Sequence, residues 1–349
     1  MLDTLETLCG LNGVSGREDE VRDYILERAM PFADEIRTDP MGNLMIFKKG
    51  AVAPARRIML AAHMDEVGLI VTSVTEEGYL RCAAAGGIDR RILPGKRVFL
   101  GPDRIPGLVG IKPIHLSDEE ERKKIPAWKD FYIDIGADGR EAAERLVRPG
   151  ELAAFDDAVV RFGDGFIKAK AIDDRAGCAT MLELLESDLP CDCWFAFTVQ
   201  EEVGCRGAQA AARSIEPEVA LVLEGTTAAD VPSAKGADAI CRPGHGVVIP
   251  FMDRGTIYDR ELYSLLGRLA EENGLPWQTK TRVAGGTDGS VIQRSGAGVR
   301  VAAVSVAVRN IHSPGLHRQD PGLGGSEKAG PPVFGGNVPG DGIISMVSA

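Results

Sequence analysis

Histidines and acidic residues recur along this chain directly after apolar runs. Residues 57–62 lead into His63, Met64 and Asp65, and residues 166–172 into Asp173 and Asp174. Residues 194–199 lead into Gln200, Glu201 and Glu202, and residues 220–223 into Glu224. Residues 299–308 lead into Arg309, Asn310, Ile311 and His312. Alone, each fragment is ordinary. His-x-Asp is a common surface pair, Asp-Asp a common cap, Glu-Glu a solvated helix face, and a lone His beside Ser-Pro a structural residue. Together they describe ligands. Open α/β sheets bind ligands at the carboxyl ends of their strands, so separate strand ends can converge. Imidazole plus carboxylate suits Zn²⁺, Co²⁺ or Mn²⁺ better than Mg²⁺ alone. The carboxylates suffice for two ions, one of them bridging at roughly 3.5–4 Å separation.

The elements that must position these groups read as follows. Residues 44–47, 58–62, 166–172, 194–199, 219–223, 247–251, 277–283 and 299–308 are predicted strands. Helices are predicted over 175–186, 206–213 and 257–273, the last with Leu262, Leu265, Leu266 and Leu269 at helical spacing. Ser15 and Glu18 have the spacing of a capping box ahead of a helix carrying Val21, Tyr24 and Ile25. This alternation predicts an α/β fold, a mixed sheet flanked by helices. Residues 68–158 differ: short β-like pieces alternate with Gly and Pro, which reads as an inserted small β-rich barrel or sandwich. The expected division is therefore 1–67 with 159–349 as one domain and 68–158 as the insert. Gly285–Ser290 reads equally as a pocket-shaping loop and as a tight turn into a helix.

The 349 residues carry a net charge of −11, which argues against a general nucleic-acid or anionic-membrane binder. No apolar stretch approaches membrane-spanning length, and the first residues do not read as a secretory signal. Seven scattered cysteines without zinc-site spacing suggest thiols in a reducing cytoplasm. No G-x-S-x-G, P-loop or H-E-x-x-H occurs. His115, His245 and His317 read as surface or tail residues.

Six segments, AAHMDEVG, AIDDRAGCA, TVQEEVGCRGA, LEGTTAADVP, GGTDGS and RNIHSP, stand in an order that closely resembles the M42 metallo-aminopeptidases, the glutamyl and deblocking aminopeptidase group. GGIDRRILPG, GIKPIHLS and FYIDIGA resemble that family's inserted dimerisation domain. The resemblance implies a peptide hydrolase that removes N-terminal residues from short peptides with two metal ions, Zn²⁺ or Co²⁺ with Mn²⁺ also fitting. It implies a metal-bridged hydroxide activated by Glu201 as general base. His63, Asp173 and Glu202 would hold one ion, with Asp173 bridging to a second held by Glu224 and His312. Asp65 would orient the His63 ring, and the Asp173–Asp174 link would be cis. Many relatives carry Asp where Glu224 stands. A cytoplasmic homo-oligomer is implied, built from dimers and extending in the family to dodecamers.

The resemblance stops at Pro314. Relatives continue into a long amphipathic helix, whereas residues 315–349 here are too rich in Gly and Pro for one. A replaced or out-of-frame terminus is one reading and a natural extension the other. Two other functions stand beside the aminopeptidase. One is a related co-catalytic zinc hydrolase such as a deacylase or carboxypeptidase. The other is a non-catalytic binding or assembly protein. An endoglucanase ranks below both, since three Trp and five Tyr make a poor sugar platform.

Overall fold

A computed structural model describes residues 1–313 and 316–319. Its main sheet has 11 strands among these residues. From one edge they run Glu35–Thr38, Leu44–Lys48, Cys193–Thr198, Ile58–His63, Val219–Ala228, Arg300–Arg309, Leu316–Gln319, Phe166–Ala169 and Val160–Phe162. Val247–Ile249 and Trp277–Thr279 attach beside Arg300–Arg309. The four strands from Cys193–Thr198 to Arg300–Arg309 are mutually parallel, the other pairings in this order are antiparallel, and Val247–Ile249 runs parallel to Trp277–Thr279 but antiparallel to Arg300–Arg309. The expected mixed sheet is present.

The parallel strands are near-continuous apolar runs because both faces are covered. Leu60, Phe195, Phe197, Leu221 and Leu223 meet the helices Leu2–Gly10, Asp19–Ala29 and Ile172–Glu186 on one face. Met59, Ala61, Ala196, Ala220 and Val222 meet Arg206–Ile215 and Gly289–Ile292 on the other. Strand alternation therefore decides which side chains can share a site. His63 falls on the face of Met59 and Ala61, and Glu224 on the face of Ala220 and Val222. That is the same face.

Residues 68–155 contain a closed barrel of Gly68–Val74, Leu80–Ala85, Tyr132–Asp134, Ile105–Gly110, Arg97–Leu100 and Leu152–Phe155. It has its own core, including Leu69, Val98, Phe131 and Ile133. Closure leaves a sheet this small without open edges.

Several local expectations change. The strand expected to stop at Leu223 continues to Ala228, so Glu224 lies inside it. The strand expected to reach Ile172 stops at Ala169, because Ala171 takes a left-handed turn and the next helix begins at Ile172. The helix expected from Ile257 starts at Arg260, where Asp259 accepts from Glu261 and Leu262 N–H. Ser15 and Glu18 form no capping box. The Ser15 hydroxyl instead donates to Asp65, and the Glu18 carboxylate accepts from Gly16 and Gln200 N–H. Of the atypical tail, only Leu316–Gln319 falls among the described residues. It is a strand that Gly and Pro content did not announce; the rest of the expectation lies outside them.

A buried ionic knot ties the first helix to the sheet. Glu66 accepts from Gly13 N–H at 2.9 Å and from Lys170 Nζ at 2.8 Å. Arg175, fully buried, approaches Glu66 at 3.8 Å and donates to Leu8 O at 2.6 Å. Removing one member leaves uncompensated buried charge. Glu66→Ala is expected to cost about 3–5 kcal/mol, read as a lower urea midpoint; a loss below about 1 kcal/mol would show that the knot relaxes without it.

Candidate metal centre

Asp173 stands at the middle of the site, with a histidine on each side. His63 Nε2 lies 3.4 Å from Asp173 Oδ1 and 3.3 Å from Glu224 Oε1. His312 Nε2 lies 3.9 Å from Asp173 Oδ2 and 3.3 Å from Glu202 Oε2. Strand register explains the first contact. Val222 pairs with Ala61 in parallel, so two residues on Glu224 stands beside His63. His312 comes from the turn after Arg300–Arg309, and Glu202 from the turn after Cys193–Thr198. The close contacts thus join His63 with Glu224 and His312 with Glu202. Glu202 remains within 4.8 Å of His63 and Asp173, the grouping that the sequence implied.

The Asp173–Asp174 peptide is cis, as expected. Asp174 accepts from Gly177 N–H at 2.9 Å and so caps the regular stretch of its helix. Gly225 N–H donates to Asp173 at 3.1 Å. A Cβ at Gly225 would stand 2.7 Å from the Asp173 side chain, so only glycine fits here.

Asp65 lies behind the site with no solvent exposure. Its carboxylate accepts from the Ser15 hydroxyl at 2.6 Å, Glu201 N–H at 2.9 Å and Glu202 N–H at 3.1 Å. It stands 3.4 Å from His63 Nδ1, while its own carbonyl is nearer, at 3.1 Å. One carboxylate therefore positions the His63 ring and the backbone of both glutamates. The sequence singles out Asp65 for the ring alone. It misses Ser15, which sits at cap spacing.

The electrostatics follow from crowding. Burial opposes charge on every member. At His63 that penalty is outweighed by Glu224, Asp173 and Asp65, so its pKa rises well above the usual histidine range. At Asp173 it is outweighed by His63, which holds the carboxyl near 2. Asp65 is likewise lowered, through His63 and Ser15. Glu224 and Glu202 go the other way, raised by burial and then by Asp173. Burial and repulsion from Asp288, Asp173 and Asp65 push Glu201 to about 8. Glu224 Oε2 and Asp174 Oδ2 are buried without a hydrogen-bond partner. Buried carboxylates in this state are normally paired or bound to metal. The donor set of two imidazoles and several carboxylates fits Zn²⁺, Co²⁺ or Mn²⁺.

The centre opens into a cavity of about 360 Å³. Its walls include Glu201, Cys205, Thr226, Tyr258, Lys280 and Thr287. Gly285 and Gly286 also line it, while Gly289–Ile292 is a helix, so each reading of this segment holds for some of its residues. Asp288, Cys205 and Lys280 are not singled out by the sequence. Asp288 lies within one of the family-like segments, but nothing in a Thr-Asp-Gly string signals burial. His115 and His245 are exposed and away from this wall.

The chain matches the model of the M42 glutamyl aminopeptidase family over residues 42–320, a few residues past Pro314. It is 39% identical to a putative aminopeptidase of Acetivibrio thermocellus, over 90% of this chain and 92% of that one. A TET aminopeptidase from a Thaumarchaeota archaeon superposes with a TM-score of 0.87 at 34% identity, covering 91% of both chains. The TET1 peptidase of Pyrococcus horikoshii, described as assembling into a tetrahedron or a large octahedral shell, gives 0.81 at 32% identity, covering 91% of this chain and 94% of that one.

Crowding sets the pH response of the metal-free protein. Glu201 rises from 4.5 to about 8 on folding, so between these values the folded chain holds more protons than the unfolded one. Stability then falls as pH rises through that window. His63, also raised, acts in the same direction above its ordinary value of 6.5. The melting midpoint of chelator-treated protein is expected to drop from pH 5 to pH 8, and Zn²⁺ or Co²⁺ to restore it. A midpoint that climbs over this range without metal would contradict the account.

Proposed function

We infer the function from one premise: this chain belongs to the M42 glutamyl aminopeptidase family and is an aminopeptidase, a hydrolase acting on the N-terminal residues of peptides. The family is metal-dependent. We propose that two divalent ions share Asp173, with His63 and Glu224 completing one side and Glu202 and His312 the other. One observation carries this reading: each histidine approaches Asp173 and, at 3.3 Å, a different glutamate. The pairing exchanges the two glutamates relative to what the resemblance implied. Zn²⁺ and Co²⁺ suit the donors, and Mn²⁺ is tolerated.

Bound there, such ions lower the pKa of a water towards neutrality and polarise a peptide carbonyl. The chain supplies the rest. Glu201 makes neither of the close histidine contacts and faces the cavity; dications beside it would lower the pKa that burial raises in the metal-free chain, so its carboxylate takes the proton of the attacking water. It then returns a proton to the leaving amine. Asp65 fixes where Glu201 can reach by holding its N–H, and holds His63 in register. The acidic wall accepts the free α-amine of a substrate, which confines cleavage to the first residue. A cavity of this size takes the end of an extended chain rather than a folded surface.

Residues 1–67 and 159–349 form the catalytic domain in this reading, and 68–158 a dimerisation insert. The assembly of the TET1 relative into a tetrahedron or octahedral shell supports a homo-oligomer, and we propose one built from dimers and extending to a dodecamer. Short peptides are then the substrates. No described helix is long and apolar enough to cross a membrane. A cytoplasmic location is part of the proposal, and the net charge of −11 speaks against nucleic acid and anionic lipid as partners.

Two variants test the assignment. Glu201→Gln should keep both ions by metal analysis while kcat falls about 10²–10⁴-fold; full activity with metals retained would remove Glu201 as base. Glu224→Ala should bind one ion fewer, and in the chelator-treated protein the His63 pKa should fall when followed by NMR. Unchanged stoichiometry would place Glu224 outside the ligand set.

A further inference from the structure

We propose that Cys205, Asp288 and Glu201 form a separate, inhibitory site for one thiophilic dication such as Zn²⁺ or Cd²⁺. The three offer one ligand atom each within 4.8 Å of one another. The Cys205 thiol donates to Glu201 Oε1 at 3.3 Å, and Ser290 Oγ reaches the sulfur at 3.8 Å. Asp288 is 1% exposed. Its Oδ2 accepts from the Thr198 hydroxyl at 2.5 Å, while the buried Oδ1 has no hydrogen-bond partner. A buried carboxylate oxygen without a donor is costly, and a cation beside it removes that cost. Cys205 and Glu201 line the cavity, so an ion can enter from solvent.

The chemistry distinguishes this site from the pair around Asp173. Those ligands are nitrogen and oxygen only. Cys205 adds sulfur, which favours Zn²⁺ or Cd²⁺ over Mn²⁺. Burial and the two carboxylates disfavour a bare thiolate, so Cys205 stays a thiol until a dication arrives. On binding, the thiol proton passes to solvent, and the sulfur and two carboxylate oxygens coordinate the ion. Cys205 also precedes the helix Arg206–Ile215, whose N-terminal N–H groups favour the thiolate once formed. The consequence for turnover rests on the reading of Glu201 as base: an oxygen bound to an ion cannot take up a proton.

The test uses the full chain loaded with Mn²⁺ and titrated with Cd²⁺. Cd²⁺ should produce a thiolate-to-metal charge-transfer band in the ultraviolet as activity falls. Exchange into the Asp173 sites cannot give this band, because they contain no sulfur. Cys205→Ser should abolish it and raise the inhibitory Cd²⁺ concentration roughly 10-fold or more; Asp288→Asn should weaken the band's titration similarly. A band unchanged in Cys205→Ser, or no band in the parent chain, would overturn the site. A Cys205-dependent band without loss of activity would support the site and instead remove Glu201 as base.

Discussion

Repulsion among carboxylates buried around Asp173 is the constraint on which this architecture turns. Asp173, Asp174, Glu202 and Glu224 meet with their side chains almost wholly buried, and His63, His312 and, from the cavity wall, Lys280 oppose their charge. A fold that tolerates this needs stiff supports and an external positive charge. The supports are the ends and inner faces of parallel strands whose other contacts are apolar and tightly packed. The donor set fits divalent metal ions, which would supply that charge. Gly225 shows how closely the backbone is drawn in: its missing side chain is the space that Asp173 occupies.

Around this centre the next layer of residues serves geometry more than charge. Asp65 gathers Ser15, His63, Glu201 and Glu202, which come from a loop, a strand end and the turn beyond another strand. That gathering sets where the two glutamate side chains leave the backbone. They are neighbours in sequence, yet Glu202 faces His312 while Glu201 accepts from the Cys205 thiol. The Glu66–Lys170–Arg175 knot acts similarly but farther from the metal centre, joining the first helix to the segment that carries Asp173.

Much of this is legible in the chain. The apolar runs ahead of His63, Glu201 and His312 announce strands, and short β-like pieces between Gly and Pro announce a small β-rich insert, though not whether it is a barrel or a sandwich. Those signals are local, since a strand's hydrophobic run or a turn's glycine acts over a few residues. Other local signals mislead. Ser15 and Glu18 have the spacing of a cap but find stronger partners, because Asp65 and Gln200 N–H lie within reach once the chain is folded. The acidic residue Glu224 looks like a strand end, although pairing with Arg300–Arg309 carries the strand on to Ala228.

By itself the sequence determined which candidate ligands exist, their order and the family pattern they follow, because residue type and spacing are one-dimensional properties. Only the tertiary structure decided which histidine meets which glutamate. Parallel register sets Glu224 beside His63, and two turns bring Glu202 to His312. The same packing made Asp288 a buried, half-satisfied carboxylate next to Cys205, although neither residue stands out in the chain. Distances between strand ends depend on how sheets pair, and pairing joins residues far apart in sequence.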